Sequence, residues 1–252
     1  MCYRAHSVLK LQRLKDEYDL FETLKAPKEI DDHPRYNALR FDLLPIVARR
    51  DDGLQAFKAQ WWLVPHWSKD GKIKATTFNC RAEGIEESRL FGPYFRSSRC
   101  LFPVEGFYED RRESETVVVR EREKSLQVKQ PFYINMKDER PFLLAGLYAV
   151  WVNKQTGEEK PSFTVITTGP NNLMKDIHDR MPVILDEKDF EQWLDPAFQE
   201  TEKLKKLLVP YPATRMKAKP VSRDYLFYYN KGERHDDPAC LDAITKNPTA
   251  SP

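Results

Sequence analysis

Short stretches of alternating or continuous apolar residues, separated by turn-forming residues, recur along the chain and predict β-strands. Two of them, Leu43 to Arg49 and Leu54 to Val64, flank Asp51-Asp52-Gly53, which is typical of a hairpin turn. The same pattern predicts further strands at Cys100 to Tyr108, Phe132 to Met136, Phe142 to Val152, Ser162 to Thr168, Met181 to Leu185 and Ala213 to Val221.

Helical spacing of apolar residues is confined to shorter parts of the chain. Residues 7–25 predict one or two amphipathic helices. The spacing also predicts a helix over 83–98 that breaks at Gly92-Pro93, and a short one starting with Pro170 at its first position. Two more are predicted, from a capping Asp186 to Trp193 and over 199–208.

Many strands with helices at their ends and gaps favour an α+β fold. The strands do not alternate with helices in the manner of a parallel α/β sheet. We therefore predict a single domain over residues 1–231, with a largely antiparallel, barrel-like β-sheet core flanked by helices, and a polar, flexible tail over 232–252. Residues 111–130 are dense in charge, which favours a solvated hairpin or loop, with a DNA-gripping arm as the alternative.

Composition and charge leave most functions open. Of the 252 residues 40% are hydrophobic, and the net charge of +2 permits nucleic-acid binding without requiring it. The chain has no apolar run of about 18 residues and no signal-peptide core at its start. We expect an intracellular protein with no membrane partner, in the cytoplasm or nucleoid of a bacterium or in the nucleus of a eukaryote.

The four cysteines, Cys2, Cys80, Cys100 and Cys240, form no C-x-x-C pair. A zinc site is therefore not expected, and disulfides are not expected in a reducing compartment. Cys80 and Cys100 lie in apolar contexts typical of core thiols. We expect no metal and no cofactor.

Cys2 follows the initiator methionine and has chemistry that no internal cysteine has. After removal of Met1, one residue carries an α-amine with a pKa near ~7.7–8.0 and a thiol with a pKa near ~8.5. An aldehyde can form a Schiff base with the amine, and the thiol can then close on the imine carbon to give a thiazolidine ring. Taken alone, position 2 also fits an ordinary residue without a role.

Three internal stretches place polar residues beside predicted strands or turns: Phe78 to Glu83, Pro103 to Glu109 and Ile177 to Pro182. Each has an ordinary explanation, because a carboxylate at a strand end is usually solvated and a histidine at a helix end interacts with the helix dipole. A histidine and a carboxylate are also the side chains that most often move protons in catalysis.

Together these stretches resemble the SRAP (SOS response-associated peptidase) family. The motifs that carry the resemblance are Met1-Cys2-x-Arg4, Asn79-x-Arg81-x-Glu83, Arg99-Cys100-Leu101-x-Pro103 with Gly106-Phe107-Tyr108-Glu109, and His178-x-Arg180-Met181-Pro182. Lesser motifs occur in the same order, at Arg35-Tyr36-Asn37, Trp61-x-Leu63-Val64-Pro65-x-Trp67, Thr167-Thr168 and Pro220-Val221-Ser222. The resemblance runs from Met1 to about Ser222.

The resemblance implies a sensor of abasic sites in single-stranded DNA that forms a covalent crosslink through its N-terminal cysteine and shields the lesion in the DNA damage response. Cys2 would be the nucleophile and Asn79 would orient the amine or the sugar. Glu109 and His178 would be the acid/base pair, with lyase-type chemistry as a side reaction.

The resemblance also implies DNA contacts. Arg4 and Arg81 would bind phosphates. Apart from the resemblance, Trp67, with Trp62 as a second candidate, fits stacking on bases, with core packing as the alternative. The family name reflects a proposed peptidase activity by which the chain removes its own Met1. We expect a monomer.

Three residues depart from the family pattern. Tyr3 and Trp62 stand where glycine is common, and Asp110 replaces the usual tryptophan after Glu109. A carboxylate at position 110 should raise the pKa of Glu109. Two other functions stay open: a cysteine-dependent peptidase acting in trans, and a non-covalent reader of modified or single-stranded DNA.

Overall fold

The fold is built mainly from strands. A computed structural model of the chain describes residues 3–7, 10–31, 35–119, 122–223, 226 and 234–242. The strands in this part of the chain are β1 Arg4–Ser7, β2 Arg35–Leu39, β3 Leu43–Arg50, β4 Gly53–Trp61, β5 Asn79–Arg81, β6 Arg99–Val104, β7 Gly106–Val119, β8 Arg122–Met136, β9 Phe142–Val152, β10 Glu159–Thr168, β11 Met181–Pro182 and β12 Met216–Pro220. The α-helices are short: α1 Leu11–Glu17, α2 Gly92–Ser97, α3 Phe190–Leu194 and α4 Thr201–Lys205.

Five strands close into a barrel in the order β10-β4-β3-β6-β9, with β9 pairing back onto β10. All of these pairings are antiparallel except the one between β4 and β10. The predicted α+β class with a barrel-like, largely antiparallel core is confirmed. Closure leaves the barrel without a free strand edge along most of its circumference.

The side chains of the barrel strands alternate between two apolar layers, as the two-residue period of a strand requires. Leu44 and Ile46 point into the lumen, where Trp61, Phe102 and Phe163 pack with ring centroids 5.1–6.1 Å apart. Residues of the opposite parity form the outer layer, which the helices cover with side chains such as Leu14, Phe190 and Trp193.

A second sheet, in the order β12-β8-β7-β1-β2, packs against the barrel and shares an apolar cluster with it. Its β7–β8 hairpin is paired as far as Val119 and Arg122. In the described part of the chain, other strands pair only with the base of the hairpin, where β1 pairs with Gly106 and Phe107 and β12 pairs with 132–136. The rest projects as a two-stranded ribbon, so the predicted solvated hairpin is confirmed.

Residues 234–242 lie along the outer edge of β2. Asp236 accepts hydrogen bonds from the backbone N–H of Asn37 and from Arg35 Nη1, both at 2.8 Å. Cys240, fully buried, packs with Tyr108 and Tyr133. This part of the predicted tail is therefore held by the domain, whereas residues 243–252 lie outside the described residues.

Some sequence predictions of local structure were wrong. Gly92-Pro93 begins helix α2 rather than breaking one, because proline fits the first turn, where its missing N–H has no partner to lose. Residues 171–178 form successive turns in place of a helix. Asp186 does not cap the following helix; its carboxylate accepts from Arg215 Nη1 at 2.7 Å instead.

The predicted strand from Cys100 to Tyr108 is also divided. β6 ends at Val104 in the barrel, and β7 begins at Gly106 in the second sheet. A Cβ at position 106 would lie 2.3 Å from the Tyr133 ring, so the chain changes sheets where only glycine fits. No helix in the described part of the chain is long and apolar enough to cross a membrane.

Candidate active site

Strand β5 brings Asn79 and Arg81 to one edge of the barrel. It pairs in parallel with β10, with Asn79 opposite Val165 and Arg81 opposite Thr167. The carbonyl of Phe78 accepts from the Trp61 indole N–H at 2.8 Å, which fixes the start of the strand. Asn79 is buried, whereas Arg81 is exposed. Asn79 is thus a fixed group and Arg81 a solvent-facing cation beside it.

His178 reaches the same edge from the other side of β10. The turn before it is held by Asn171, whose Oδ1 accepts from the Met174 N–H at 2.9 Å. The strand after it, β11, pairs Met181 with Thr168 and Pro182 with Thr167. Because Thr167 is also the neighbour of Arg81, strand β10 brings the second and fourth motifs together.

Glu109 lies on β7 and is 2% exposed. Its Oε2 is 3.9 Å from Nε2 of His178, which is within ion-pair distance but too long for a hydrogen bond. Burial, with a smaller contribution from the neighbouring Asp110 carboxylate, raises the pKa of Glu109 to about 8. The effect of Asp110 predicted from the sequence is confirmed in direction, although burial is the larger cause.

His178 is held as a neutral ring. Burial lowers its pKa below the ordinary value of 6.5. Its Nδ1 accepts from the backbone N–H of Arg180 at 3.0 Å, while the largely exposed Asp179 carboxylate lies 2.9 Å from the same nitrogen. Both of these contacts are made by Nδ1, and Nε2 is the nitrogen that faces Glu109.

Glu83 and Arg180, from separate motifs, pair with each other. The two guanidinium nitrogens Nη1 and Nη2 each donate to one Glu83 oxygen at 2.8 Å, and Nη2 also donates to the Thr167 carbonyl at 2.6 Å. Such a bidentate pair fixes both orientation and distance. It therefore fastens the segment that carries His178 to the segment that carries Asn79.

The start of β1 lies beside Glu109. The hydroxyl of Tyr3 donates to Asp110 Oδ2 at 3.0 Å. Arg4 is 7% exposed, with its guanidinium 5.0 Å from the centre of the Tyr3 ring. Of the two arginines predicted to bind phosphates, only Arg81 presents its side chain to solvent. Cys2 and Met1 lie outside the described residues.

A pair of aromatic side chains other than Trp67 lies next to the segment that carries Asn79. Phe41 and Trp62 stack with centroids 4.3 Å apart, and Trp62 contacts Phe78, the residue before Asn79. Phe41 is 51% exposed and adopts a positive φ of 74°, a conformation that is strained for a bulky residue. The pair forms an exposed aromatic platform at the edge of the site.

Trp67 is 60% exposed and lines a separate cavity of about 480 Å³ with Trp151 and Asn153. On β10, Lys160 is opposite Trp151 and Val165 is opposite Asn79. Lys160 and Val165 are roughly 16 Å apart along β10 at about 3.3 Å per residue, so the cavity beside Trp151 is about as far from Asn79. The structure does not bring Trp67 together with the predicted acid/base pair, and its role in DNA binding stays a prediction.

The remaining thiols do not compete with Cys2. Cys80, Cys100 and Cys240 are buried, and burial raises the pKa of the Cys80 thiol to about 12. Among the described residues no cluster of three or more His, Cys, Asp or Glu side chains could hold a metal ion. The chemistry that the described site can offer is proton transfer by Glu109 and His178.

Sequence reasoning quoted Glu83, Arg180, Tyr3 and Asp110 but assigned no contact between them. For Glu83 and Arg180 the sequence did give one sign of an ion pair, because two motif positions carry opposite charges. Phe41 was not singled out, because neither its positive φ nor its stacking on Trp62 leaves a mark in the local pattern of residues.

Comparison with known proteins agrees with this arrangement. The model of the SOS response-associated peptidase (SRAP) family matches residues 1–225. The "Abasic site processing protein YoqW" of Bacillus subtilis is 34% identical over 222 residues, which cover 88% of this chain and 92% of that protein. "Abasic site processing protein HMCES" of Xenopus tropicalis is 30% identical over 73% of this chain, which spans 56% of its length.

Solved structures share the fold. A crystal structure of a protein from Bacteroides thetaiotaomicron superimposes with a TM-score of 0.77 at 28% identity, covering 96% of this chain and all of that one.

Proposed function

Because the chain belongs to the SRAP family, we propose that it processes abasic sites in single-stranded DNA by forming a covalent crosslink through Cys2. Relatives that carry the name abasic site processing protein support the substrate. The observation that carries the chemistry is the buried Glu109 beside His178, with the Glu109 pKa raised to about 8.

The proposed reaction begins once Met1 has been removed. The ring-opened abasic deoxyribose presents an aldehyde. The Cys2 amine attacks its carbon, and loss of one water gives an imine. The Cys2 sulfur then adds to the imine carbon, and its proton ends on the nitrogen, so that a five-membered thiazolidine ring closes with no further by-product.

Glu109 and His178 supply the proton transfers that these steps need. Near pH 7 a carboxyl group with a pKa of about 8 is mostly protonated and can protonate the departing hydroxyl. A neutral histidine can accept a proton during ring opening or from the ammonium. Asn79, buried beside them, would orient the amine or the sugar.

DNA binding would use the exposed groups at the same edge of the barrel. Arg81 is placed to contact a phosphate, and the platform of Phe41 and Trp62 offers a face for an unpaired base. Trp67 and its cavity would contact a more distant part of the strand. Arg4 would contribute after a rearrangement that frees its buried side chain.

The same groups would serve two related activities. Removal of Met1 by the chain itself adds water across the Met1–Cys2 peptide bond, with Glu109 and His178 moving the protons. Cleavage of the DNA strand by lyase-type elimination would compete at the imine stage, and closure of the thiazolidine suppresses it. The crosslink would thereby shield the lesion in the DNA damage response.

The test is to incubate the purified protein with a single-stranded oligonucleotide that carries one abasic site, and to measure adducts that survive heating in detergent. We expect a 1:1 adduct whose intact mass equals protein lacking Met1 plus DNA minus one water. Cys2→Ala should abolish it, whereas Cys240→Ala, which alters a buried thiol, should not.

An oligonucleotide with a tetrahydrofuran in place of the abasic sugar keeps the backbone but has no aldehyde. It should bind without forming the adduct. An adduct that persists in Cys2→Ala would refute the proposal, and tight binding of both DNAs without any adduct would favour the non-covalent reader.

A further inference from the structure

Tyr3 and Asp110, each next to a residue of the proposed chemistry, contact each other. Tyr3 follows Cys2, Asp110 follows Glu109, and the Tyr3 hydroxyl donates to Asp110 Oδ2 at 3.0 Å. A bond between a phenol and a carboxylate is charge-assisted and stronger than a neutral hydrogen bond. The bond therefore links the residue after the proposed nucleophile to the residue after the proposed acid.

The Tyr3 side chain is held on three sides. Its ring packs against the apolar cluster that the barrel and the second sheet share, which includes Ala5 and Phe107. The Arg4 guanidinium lies 5.0 Å from the ring centre. Burial raises the pKa of the Tyr3 phenol to about 12, so the hydroxyl keeps its proton and donates throughout the neutral range.

A held tyrosine at this position changes what the start of the chain can do. The regular pairing of β1 with β7 covers Ala5 and His6, so Tyr3 lies beyond the last paired residue. A glycine there would have more backbone conformations than any other residue. Where the backbone pairing stops, the hydrogen bond of the Tyr3 side chain fixes the segment instead.

We propose that Tyr3 is a positioning residue for Cys2 and that Asp110 is its anchor. Their hydrogen bond fixes the residue after Cys2 beside the residue after Glu109 before any DNA is bound. The proposal deepens the proposed function, on which it rests.

The test uses a small aldehyde, glyoxylate, so that positioning is measured without DNA. Glyoxylate and an N-terminal cysteine give a thiazolidine with loss of one water, and intact mass follows the reaction. The variants are Tyr3→Phe, which removes only the hydroxyl, Asp110→Ala, which removes the acceptor, and the double variant. The measurements are made at pH 6, where the buried Glu109 stays protonated with either residue at position 110.

Two further variants serve as controls. Tyr148→Phe makes the same chemical change on β9 and should leave the rate unchanged. The Nζ of Lys129 is 4.0 Å from Asp110 Oδ2. Lys129→Ala removes this ammonium group and should also have little effect on the rate.

We expect each single variant to slow the glyoxylate reaction by about three- to ten-fold, which is the effect of one hydrogen bond on a rate. The double variant should be no slower than the slower single variant, because both changes remove the same bond. Rates unchanged in both single variants, or effects that multiply in the double variant, would overturn the proposal. So would slowing with abasic DNA alone, which would make Tyr3 a DNA contact.

This design separates the two proposals. If the wild-type protein reacts with glyoxylate but forms no adduct with abasic DNA, the proposed function fails and the variants still report on Tyr3. If abasic DNA is crosslinked equally well by all variants, the proposed function stands and the tether is refuted. Tyr3→Gly, which removes the whole side chain and frees the backbone, should be slowed at least as much as Tyr3→Phe.

Discussion

The Nε2 atom of His178 lies 3.9 Å from Oε2 of Glu109, and burial moves the pKa values of the two groups towards each other. The pKa of the carboxyl rises to about 8 and that of the imidazole falls below 6.5. Near pH 7 both groups are therefore mostly neutral, one as an acid and the other as a base. With its ordinary pKa near ~4.3 the carboxyl group would be ionised at this pH and could not act as the acid.

The pH dependence of stability should carry the signature of Glu109. Its pKa is higher in the folded protein than in the unfolded chain, so the stabilisation that it provides is present at low pH and is lost as pH rises from about 4.5 through about 8. Glu109→Gln removes the ionisation. We expect this variant to gain stability relative to the wild type at pH 9 and to gain little at pH 5, as measured by urea denaturation.

The same Glu109→Gln variant should crosslink abasic DNA at least ten-fold more slowly, because an amide cannot move the proton. Glu113→Gln on the same strand, which changes a partly exposed side chain paired with Arg111, is the control and should change neither the pH dependence nor the rate. A wild-type stability that rises between pH 7 and 9 would contradict the raised pKa.

Glu83→Gln tests the clamp on Arg180. The amide keeps the size of the side chain but loses the bidentate, charged contact, so the segment carrying His178 should loosen. We expect crosslinking to slow by about three- to ten-fold, with a loss in the free energy of unfolding below about 1 kcal/mol, because the Glu83 side chain is 59% exposed. Glu83→Asp should recover part of the rate.

The pKa of His178 should also move in Glu83→Gln. Loosening hydrates the ring and raises its pKa towards 6.5, which an NMR titration of the imidazole can follow. The charged groups that face the ring are Glu109, Asp110 and Asp179, and all three remain in this variant. Tighter DNA binding together with faster crosslinking would instead mean that Glu83 competes with phosphate for Arg180.

Trp62→Ala tests the aromatic platform. Stacking of one base is worth about 1–3 kcal/mol, so removal of the indole should weaken binding of a short single-stranded oligonucleotide by about five- to one-hundred-fold. Fluorescence anisotropy in a Cys2→Ala background measures binding without crosslinking. Trp67→Ala is the matched control, and it should weaken only oligonucleotides long enough to reach from Asn79 to the second cavity.

Gly106→Ala tests the point where the chain passes from the barrel to the second sheet. The new methyl group would lie 2.3 Å from the Tyr133 ring, which hydrogen-bonds His6 Nδ1 at 2.8 Å and the Glu105 carbonyl at 3.1 Å. We expect a loss of about 1–3 kcal/mol in the free energy of unfolding, typical of overpacking. Gly169→Ala, with nothing within 4 Å, should be close to neutral.

The sequence was sufficient for the strands and for the fold class because strand periodicity is local. Leu43 to Arg49 and Leu54 to Val64 alternate or run apolar as barrel strands must, and their turn residues lie between them. It was insufficient for residues 83–98 and 171–178, where turns are stabilised by contacts such as Asn171 Nδ2 with the Tyr211 carbonyl. Those contacts join residues 40 positions apart and have no local pattern.

The candidate site was predictable as a set of residues but not as a geometry. The resemblance selected Asn79, Glu109 and His178. The pairing of β5 and β11 with β10 brings Asn79 and His178 to one edge, and no periodicity in the sequence predicts that pairing. Trp62 is the less exposed of the two tryptophans, as expected, but its contact with Phe78, the residue before Asn79, has no mark in the local sequence. The burial that sets the pKa of Glu109 depends on the whole sheet.

The segment 234–242 covers β2 through contacts between Asp236 and Arg35 or Asn37, which lie 201 and 199 positions away in the sequence. Contacts this distant in sequence form slowly, whereas a hairpin such as β3–β4 joins neighbouring parts of the chain. The outer edge of β2, whose other edge pairs with β1, is therefore covered late in folding.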